Sequence, residues 1–215
     1  FASPAAMSQV VPVSVIGMVG SFVFLAAAAA WILVKLPVSF AAILRNGLAV
    51  DAGPTLWLGI PIFTLVGITF IRLGSGVSHN LLDTELNPVI AFVVLGLLVA
   101  GQIVMGLAGW AAMNHQGYFT RFVRGSEGSI PSYGLICPGV ALAVLSMFFI
   151  HWGLVRTDII EMFSPVHFVL LALVVVLQVK TIQTLFRLDR RLMGEPQSET
   201  KNVGVAAKEE KYVAV

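Results

Sequence analysis

Apolar residues in this chain are gathered into five long stretches that polar connections separate. The stretches cover residues 11–34, 55–71, 88–113, 133–155 and 165–186. They are too long for buried strands, and about 20 apolar residues suffice for a helix to cross a bilayer. The alternation of apolar and polar residues that transmembrane barrel strands need is missing from them. The pattern therefore predicts an all-α integral membrane protein with five transmembrane helices.

Composition agrees with this pattern. Hydrophobic residues make up 58% of the 215 positions and charged residues only 11%, whereas soluble domains have about 25% charged residues. The net charge of +2 is too small to indicate a nucleic-acid partner. We expect a membrane domain over residues 1–192, with the lipid bilayer as its surroundings, and a polar cytoplasmic tail over residues 193–215.

Positive charges outside the stretches predict the orientation of the helices. The connections 35–53 and 114–132, together with Lys180 and the segment after Phe186, hold 11 of the 13 Lys and Arg residues. Only Arg72 and Arg156 fall on the other side. Cytoplasmic loops carry an excess of Lys and Arg. We therefore expect the N-terminus outside and the C-terminus in the cytoplasm, with a bacterial inner membrane as the location.

Prolines indicate an internal repeat. The segments PTLWLGIP from Pro54 and PSYGLICP from Pro131 stand 77 positions apart, and the same offset relates Pro61 to Pro138. The predicted unit is a helical hairpin whose first helix contains a proline. An internal proline removes a backbone hydrogen bond, which a membrane tolerates where neighbouring helices or a water-filled cavity satisfy the freed carbonyl. We expect two proline-kinked inner helices and three outer ones against lipid, with ordinary packing kinks as the alternative.

One face of the second predicted helix carries small residues on either side of an aromatic ring. Thr55, Gly59, Phe63 and Gly67 recur every four residues, so they share a helix face. Such a face lines a pore with a hydrophobic constriction at Phe63, or it lets two helices pack closely. The residues that we expect to line a pore are Thr55, Gly59, Pro61, Phe63, Gly67 and Pro138.

The repeated hairpins, the proline-containing inner helices and the segment GPTLW resemble the tellurite-resistance and dicarboxylate transporter family, which includes the slow anion channels of plant guard cells. Members of that family have ten helices, in five hairpins whose inner helices surround an anion pore with an aromatic gate. The resemblance covers about residues 12–191 and corresponds to the C-terminal half of that fold. Phe63 is a gate candidate from its spacing alone, because residues 136–139 of the fourth helix include no aromatic residue.

The resemblance implies that the chain is part of a channel or transporter for small anions such as chloride, nitrate or small carboxylates. It also implies that a further protein chain or an N-terminal half completes the pore, in an assembly whose oligomeric state is open. An absence of charged residues in the middle of the spans favours passive conduction over a proton-coupled mechanism.

Histidines leave a competing function open. His151 and His167 lie on consecutive predicted helices at similar depth, as a bis-histidine haem b requires. A haem-b or quinone-linked subunit of a redox complex is therefore one alternative, and a structural accessory subunit is another. Nucleotide-binding, zincin and covalent-haem motifs are missing. We expect no enzymatic activity, no metal and no cofactor.

Overall fold

The computed structural model describes residues 3–47, 50–123, 125 and 130–194, and every regular element among them is helical. The predicted tail lies outside the described residues from position 195 onward. The five long helices are α1 (Val11–Asn46), α2 (Gly59–Leu81), α3 (Pro88–His115), α4 (Ile136–Phe148, continued as a π-helix over Phe149–Val155) and α5 (Pro165–Gly194). Shorter helical segments are the 3-10 helices Pro4–Met7, Val50–Trp57 and Ile130–Leu135 and the π-helix Phe119–Val123.

The described residues contain five helices that are long and apolar enough to cross a membrane. The predicted all-helical class and the predicted number of spans are confirmed in this sense. Orientation relative to a membrane and the hairpin repeat stay predictions. Below, the basic end is the end of the bundle at which α2 and α4 begin and α3 and α5 finish; it carries Arg121, Arg187 and Arg190.

Helix α1 is longer than predicted. A connection was expected from residue 35, but α1 continues through Lys35 and Pro37 to Asn46. Pro37 removes one helical hydrogen bond, whereas most of the flanking residues are apolar and no glycine follows before Gly47. Its 36 residues extend over about 54 Å, which exceeds the roughly 30 Å of hydrocarbon in a bilayer. In a membrane, α1 must therefore tilt strongly or project beyond the hydrocarbon.

Pro61 and Pro138 stand at the starts of helices rather than in their middles. Each is the third residue of its α-helix, because the segments before α2 and α4 are 3-10 helices. The first four amides of an α-helix have no α-helical partner, so neither proline interrupts the hydrogen bonds of the helix body. A kink at either proline would therefore fall where the 3-10 segment meets the α-helix, and the predicted kink stays a prediction. Each proline marks the change from a 3-10 to an α-helical path.

Helices α2 and α4 lie at the centre of the packing and run parallel. The hydroxyl of Thr64 on α2 donates to the carbonyl oxygen of Ala141 on α4 over 2.8 Å. Helix α3 packs antiparallel against both, while α5 packs on α4 and α1 on α2. In the most apolar window of each span, 33% of the residues are buried for α2 and α4, against 17% for α1 and α3 and 6% for α5.

Three apolar clusters occur among the described residues; one of them joins Ala6 and Met18 to Leu73 of α2, and the other two hold α2, α3 and α4 together. Ile71, Leu95 and Leu145 bring α2, α3 and α4 into contact. At the basic end, Met113 and Tyr118 are fully buried and pack with the residues that precede α2 and α4. The cluster at the basic end fixes the 3-10 segments, and it thereby sets where α2 and α4 begin.

Candidate functional site

The predicted pore face of α2 packs against its neighbours. A Cβ on Gly59 would collide with Met105 of α3, and one on Gly67 would collide with Leu145 of α4. The ring of Phe63 lies 3.3 Å from the point where a Cβ of Gly101 on α3 would stand. These contacts favour the alternative of close helix packing for the three residues. Their role in lining a pore stays a prediction.

The other predicted pore residues are spread over two surroundings. Thr55 lies in the 3-10 helix before α2, where it is exposed and its hydroxyl donates to the carbonyl of Ala52 over 2.7 Å. Pro61 is half-buried. Pro138 is buried and lines a cavity between α3 and α5. The structure therefore does not gather the six residues around one space.

A buried polar cluster joins α2, α3 and α4. Gln102 of α3 has no exposed surface, and its Nε2 donates to the carbonyl of Ile60 and to the hydroxyl of Thr64, each over 2.7 Å. The hydroxyl of Thr64 in turn donates to the carbonyl oxygen of Ala141 on α4. The remaining polar atom of Gln102, its Oε1, is buried without a hydrogen-bond partner. A buried acceptor without a partner costs about 1–3 kcal/mol, which the two hydrogen bonds of Nε2 help to offset.

Gln102 forms part of the wall of a cavity of about 440 Å³ between α3 and α5, which we call the α3–α5 cavity. Its walls are mostly apolar, with Ile60, Ile103, Leu107, Leu142 and Leu177 among them, and Trp57 and Phe119 lie toward the basic end. Ile103 and Leu107 are also exposed on the outside of α3. The cavity therefore opens between α3 and α5 toward the surroundings of the bundle.

Among the described residues that line the α3–α5 cavity, α5 contributes the one charged side chain. Lys180 lines it beside Thr181 and Thr184, and no ion pair or side-chain hydrogen bond joins Lys180 to another described residue. The two threonine hydroxyls donate to carbonyls of their own helix, over 2.9 Å each, so their lone pairs can accept. The cavity thus offers one cation and the oxygens of two threonine hydroxyls within an apolar wall.

One face of α4 is exposed although its span is among the most buried. We call Cys137, Val140, Met147 and His151 the α4 open face; they recur at helical spacing and all four are exposed. Val140 and Met147 keep 41% and 47% of their accessible surface. No Asp, Glu, Lys or Arg lies within α4 or its π-helical continuation.

The histidines proposed as haem ligands have separate neighbours. His151 is exposed and packs edge-on against Trp152. His167 is half-buried, and its Nδ1 accepts a hydrogen bond from the Phe163 amide over 3.2 Å. No group of three metal-binding side chains occurs in the described part of the chain. A haem between the two histidines stays a prediction.

At the end opposite the basic end, polar residues surround a second cavity of about 220 Å³. Arg156 forms an ion pair with Glu85 at 3.7 Å, and its guanidinium lies 4.2 Å from the centroid of the Trp152 ring. His79 and Asn80 bind the segment before α1 through Gln9 and Ser8. Because Glu85 partly neutralises the charge of Arg156, this arginine attracts a further anion less strongly.

Tyr118 anchors the connection between α3 and α4. Its hydroxyl is hydrogen-bonded to Ser132 over 2.7 Å, and both residues are fully buried. Burial raises the pKa of the Tyr118 hydroxyl above the usual value of 10.0, because the phenolate would lose its hydration. Tyr118 is therefore neutral at physiological pH and has a structural role.

Sequence reasoning missed Gln102 and Lys180 as members of one site. Gln102 is the only polar side chain among residues 88–113, and a polar residue inside a span is costly and often functional. That signal was available in the sequence. That Gln102 lines the same cavity as Lys180 of α5 could not be predicted, because 78 positions separate the two residues.

The structure defines a helical protein with five helices able to span a membrane. No family model matches the chain, and no curated protein or solved structure matches it either. The resemblance to the tellurite-resistance and dicarboxylate transporter family therefore rests on the sequence features alone.

Proposed function

We propose that this chain is part of an integral membrane channel or transporter for small anions, with α2 and α4 as the helices nearest the conduction path. These helices are parallel and include the most buried spans. The hydrogen bond between them joins residues 77 positions apart, which is also the offset between Pro61 and Pro138. Such an offset is expected where equivalent helices of a repeat stand side by side.

The observation that carries this proposal is the α4 open face. It is uncovered in an otherwise well-packed helix, and it contains no Asp, Glu, Lys or Arg. An uncharged path with basic residues at its end attracts anions without binding them tightly; at the basic end these residues are Arg121, Arg187 and Arg190. Further protein, either another chain or another part of the same one, covers this face in the working assembly. The proposed location is the inner membrane of a bacterium.

Cys137, the only cysteine in the sequence, provides a direct test of the α4 open face. In membrane vesicles, the anionic reagent sulfonatoethyl methanethiosulfonate should gain on its cationic trimethylammonium counterpart at Cys137, when each rate is divided by that with a free thiol in solution, because the basic residues concentrate anions along the path. Modification should also reduce chloride and nitrate flux several-fold. The Cys137→Ala protein should conduct but be insensitive to the reagent.

The matched control places a cysteine on the outside of α3. Leu97 keeps 73% of its accessible surface, and Leu97→Cys in the Cys137→Ala background should be modified slowly, as a lipid-facing thiol is. Equal, slow modification at both positions would show that the α4 open face meets lipid. That result, or flux no greater than in empty vesicles, would contradict the proposed function.

A further inference from the structure

The strongest unassigned feature of the molecule is the α3–α5 cavity, which opens between these two helices. Its volume of about 440 Å³ falls within the range of small-molecule sites, which is about 300–1,000 Å³. Its walls are mostly apolar, and the residues Ile103 and Leu107 beside its opening are exposed on α3. In a membrane, the molecules next to this opening are lipids. An acyl chain is therefore the group that the cavity can admit directly from the bilayer.

The α3–α5 cavity lies at the basic end of the bundle. Gly139 is the fourth residue of α4, and a Cβ there would collide with Thr181 of α5, so Thr181 is level with the first turn of α4. Ile60, the second residue of α2, lines the same cavity. Because α2 and α4 both begin at the basic end, the cavity is within reach of the lipid leaflet whose headgroups lie at that end.

Helix α5 changes from apolar to polar at the level of this cavity. Its residues 165–179 include no Asp, Glu, Lys or Arg. Lys180 and Thr184 line the cavity toward the basic end, and Leu177 lines it about one turn farther inside. Arg187 is exposed and follows on the same face of the helix. The polarity of α5 thus changes here as that of a phospholipid does between its phosphate and its acyl chains.

Lys180 requires an anionic group from its surroundings. Its side chain is exposed, and no ion pair joins it to another described residue. A charge that meets hydrocarbon is costly, whereas a lysine beside an anionic headgroup is stabilised. A free phosphate would satisfy Lys180 but could not use the apolar walls of the cavity. Charge and cavity together therefore select an amphipathic anion.

We infer that the α3–α5 cavity binds one acyl chain of an anionic phospholipid, taken from the leaflet at the basic end. The phosphate of the lipid pairs with Lys180, and the chain lies along Ile103, Leu142 and Leu177. The opening between α3 and α5 lets the chain enter sideways from the bilayer. This binding goes beyond anion conduction along α4 and does not depend on it.

Trp57 provides a fluorescent probe in the wall of the cavity. It lines the cavity, and its Nε1 donates to the carbonyl of Gly106. Replacing the other three tryptophans, Trp31, Trp110 and Trp152, by Phe leaves Trp57 as the one source of indole emission. Bromine atoms on an acyl chain quench an indole that they touch. In phosphatidylcholine vesicles, brominated phosphatidylglycerol should bind beside Trp57 about fivefold more tightly than brominated phosphatidylcholine, or better, because of the charge of a nearby lysine.

Variants assign the two parts of the site. Lys180→Gln should remove most of the preference for phosphatidylglycerol, whereas Lys35→Gln, which removes another exposed charge on α1, should leave it unchanged. Gly106→Leu should reduce quenching by both lipids, because a Cβ there meets only Ile60, at 3.9 Å, and the side chain takes up space in the cavity. Gly20→Leu is its control, since nothing lies within 4 Å of a Cβ at Gly20. Circular dichroism checks that each variant keeps the helical content of the parent protein.

Three outcomes would overturn the inference. Equal quenching of Trp57 by the two lipids would show that the cavity takes up acyl chains without recognising charge. If neither lipid quenches Trp57, no chain enters the cavity. If Lys35→Gln lowers the preference as much as Lys180→Gln does, the anionic lipid responds to the charge of the whole surface. None of these measurements uses anion flux, so failure of this inference is distinguishable from failure of the proposed function.

Discussion

Phe63 shows how strongly the role of one side chain depends on residues far along the chain. Its spacing with Gly59 and Gly67 is compatible with a pore constriction or with helix packing. The structure sets its ring against Gly101, where a Cβ would make a tight contact with it. Gln102, by contrast, is conspicuous in the sequence as a lone polar residue, and its two hydrogen-bond partners, Ile60 and Thr64, both lie on α2.

We predict that Phe63→Ala destabilises the protein by about 3 kcal/mol, because a cavity forms against α3, and that anion flux does not increase. The free energy of unfolding in detergent or lipid is the measurement. Phe24→Ala is the matched control, since Phe24 keeps 65% of its accessible surface and should cost little. A stable Phe63→Ala protein with raised flux would instead support a constriction at this residue.

A second prediction at the residue scale concerns pH. The pKa of Tyr118 is raised in the folded protein, so its contribution to stability is complete below pH 10 and is lost as pH rises through the folded pKa. Tyr118→Phe should lose the hydrogen bond to Ser132, at about 1 kcal/mol near pH 8. The difference in unfolding free energy between the two proteins should then shrink above pH 10. A difference that stays constant up to pH 11 would contradict the buried phenol.

Helices in this protein are held together through small residues as much as through large ones. Gly139 lets α4 approach Thr181 of α5, and Gly109 leaves room for Trp57, whose Nε1 donates to the carbonyl of Gly106 over 3.0 Å. Between membrane helices, close approach of this kind replaces the hydrophobic effect as the source of specificity. Substitutions at such glycines therefore act on whole elements.

We predict that Gly139→Leu separates α5 from α4 and lowers the melting temperature by several degrees, because any Cβ there collides with Thr181. Gly20→Leu is the control: nothing lies within 4 Å of a Cβ at Gly20, and leucine favours a helix more than glycine does. Thermal unfolding of both variants provides the comparison. If Gly139→Leu unfolds at the temperature of the unmodified protein, the packing of α5 on α4 is wrong.

At the scale of the whole molecule, five spans are arranged with α2 and α4 at the centre. The charges predict that the basic end faces the cytoplasm, which leaves the connection between α2 and α3 outside. The structure itself contains no membrane, so this orientation follows from the distribution of Lys and Arg alone.

Labelling of intact cells tests the orientation. In the Cys137→Ala background, a membrane-impermeant maleimide should label Thr84→Cys, in the connection between α2 and α3, and should not label Thr120→Cys, beside the basic end. Both threonines are exposed, so accessibility within the protein is matched. Labelling of Thr120→Cys alone would reverse the predicted orientation while leaving the fold intact.

By itself, the sequence determined the class and the number of the helices, because the length of an apolar run is a local property that the thickness of a bilayer selects. It could not determine which face of each helix is buried: lipid and protein neighbours are both apolar, so hydrophobic periodicity does not distinguish them. Only the tertiary structure decided that the α2 stripe meets α3, that Pro61 and Pro138 follow 3-10 segments, and that Gln102 and Lys180 line one cavity. Each of these depends on contacts between residues tens of positions apart, whose geometry the packing of the whole bundle sets.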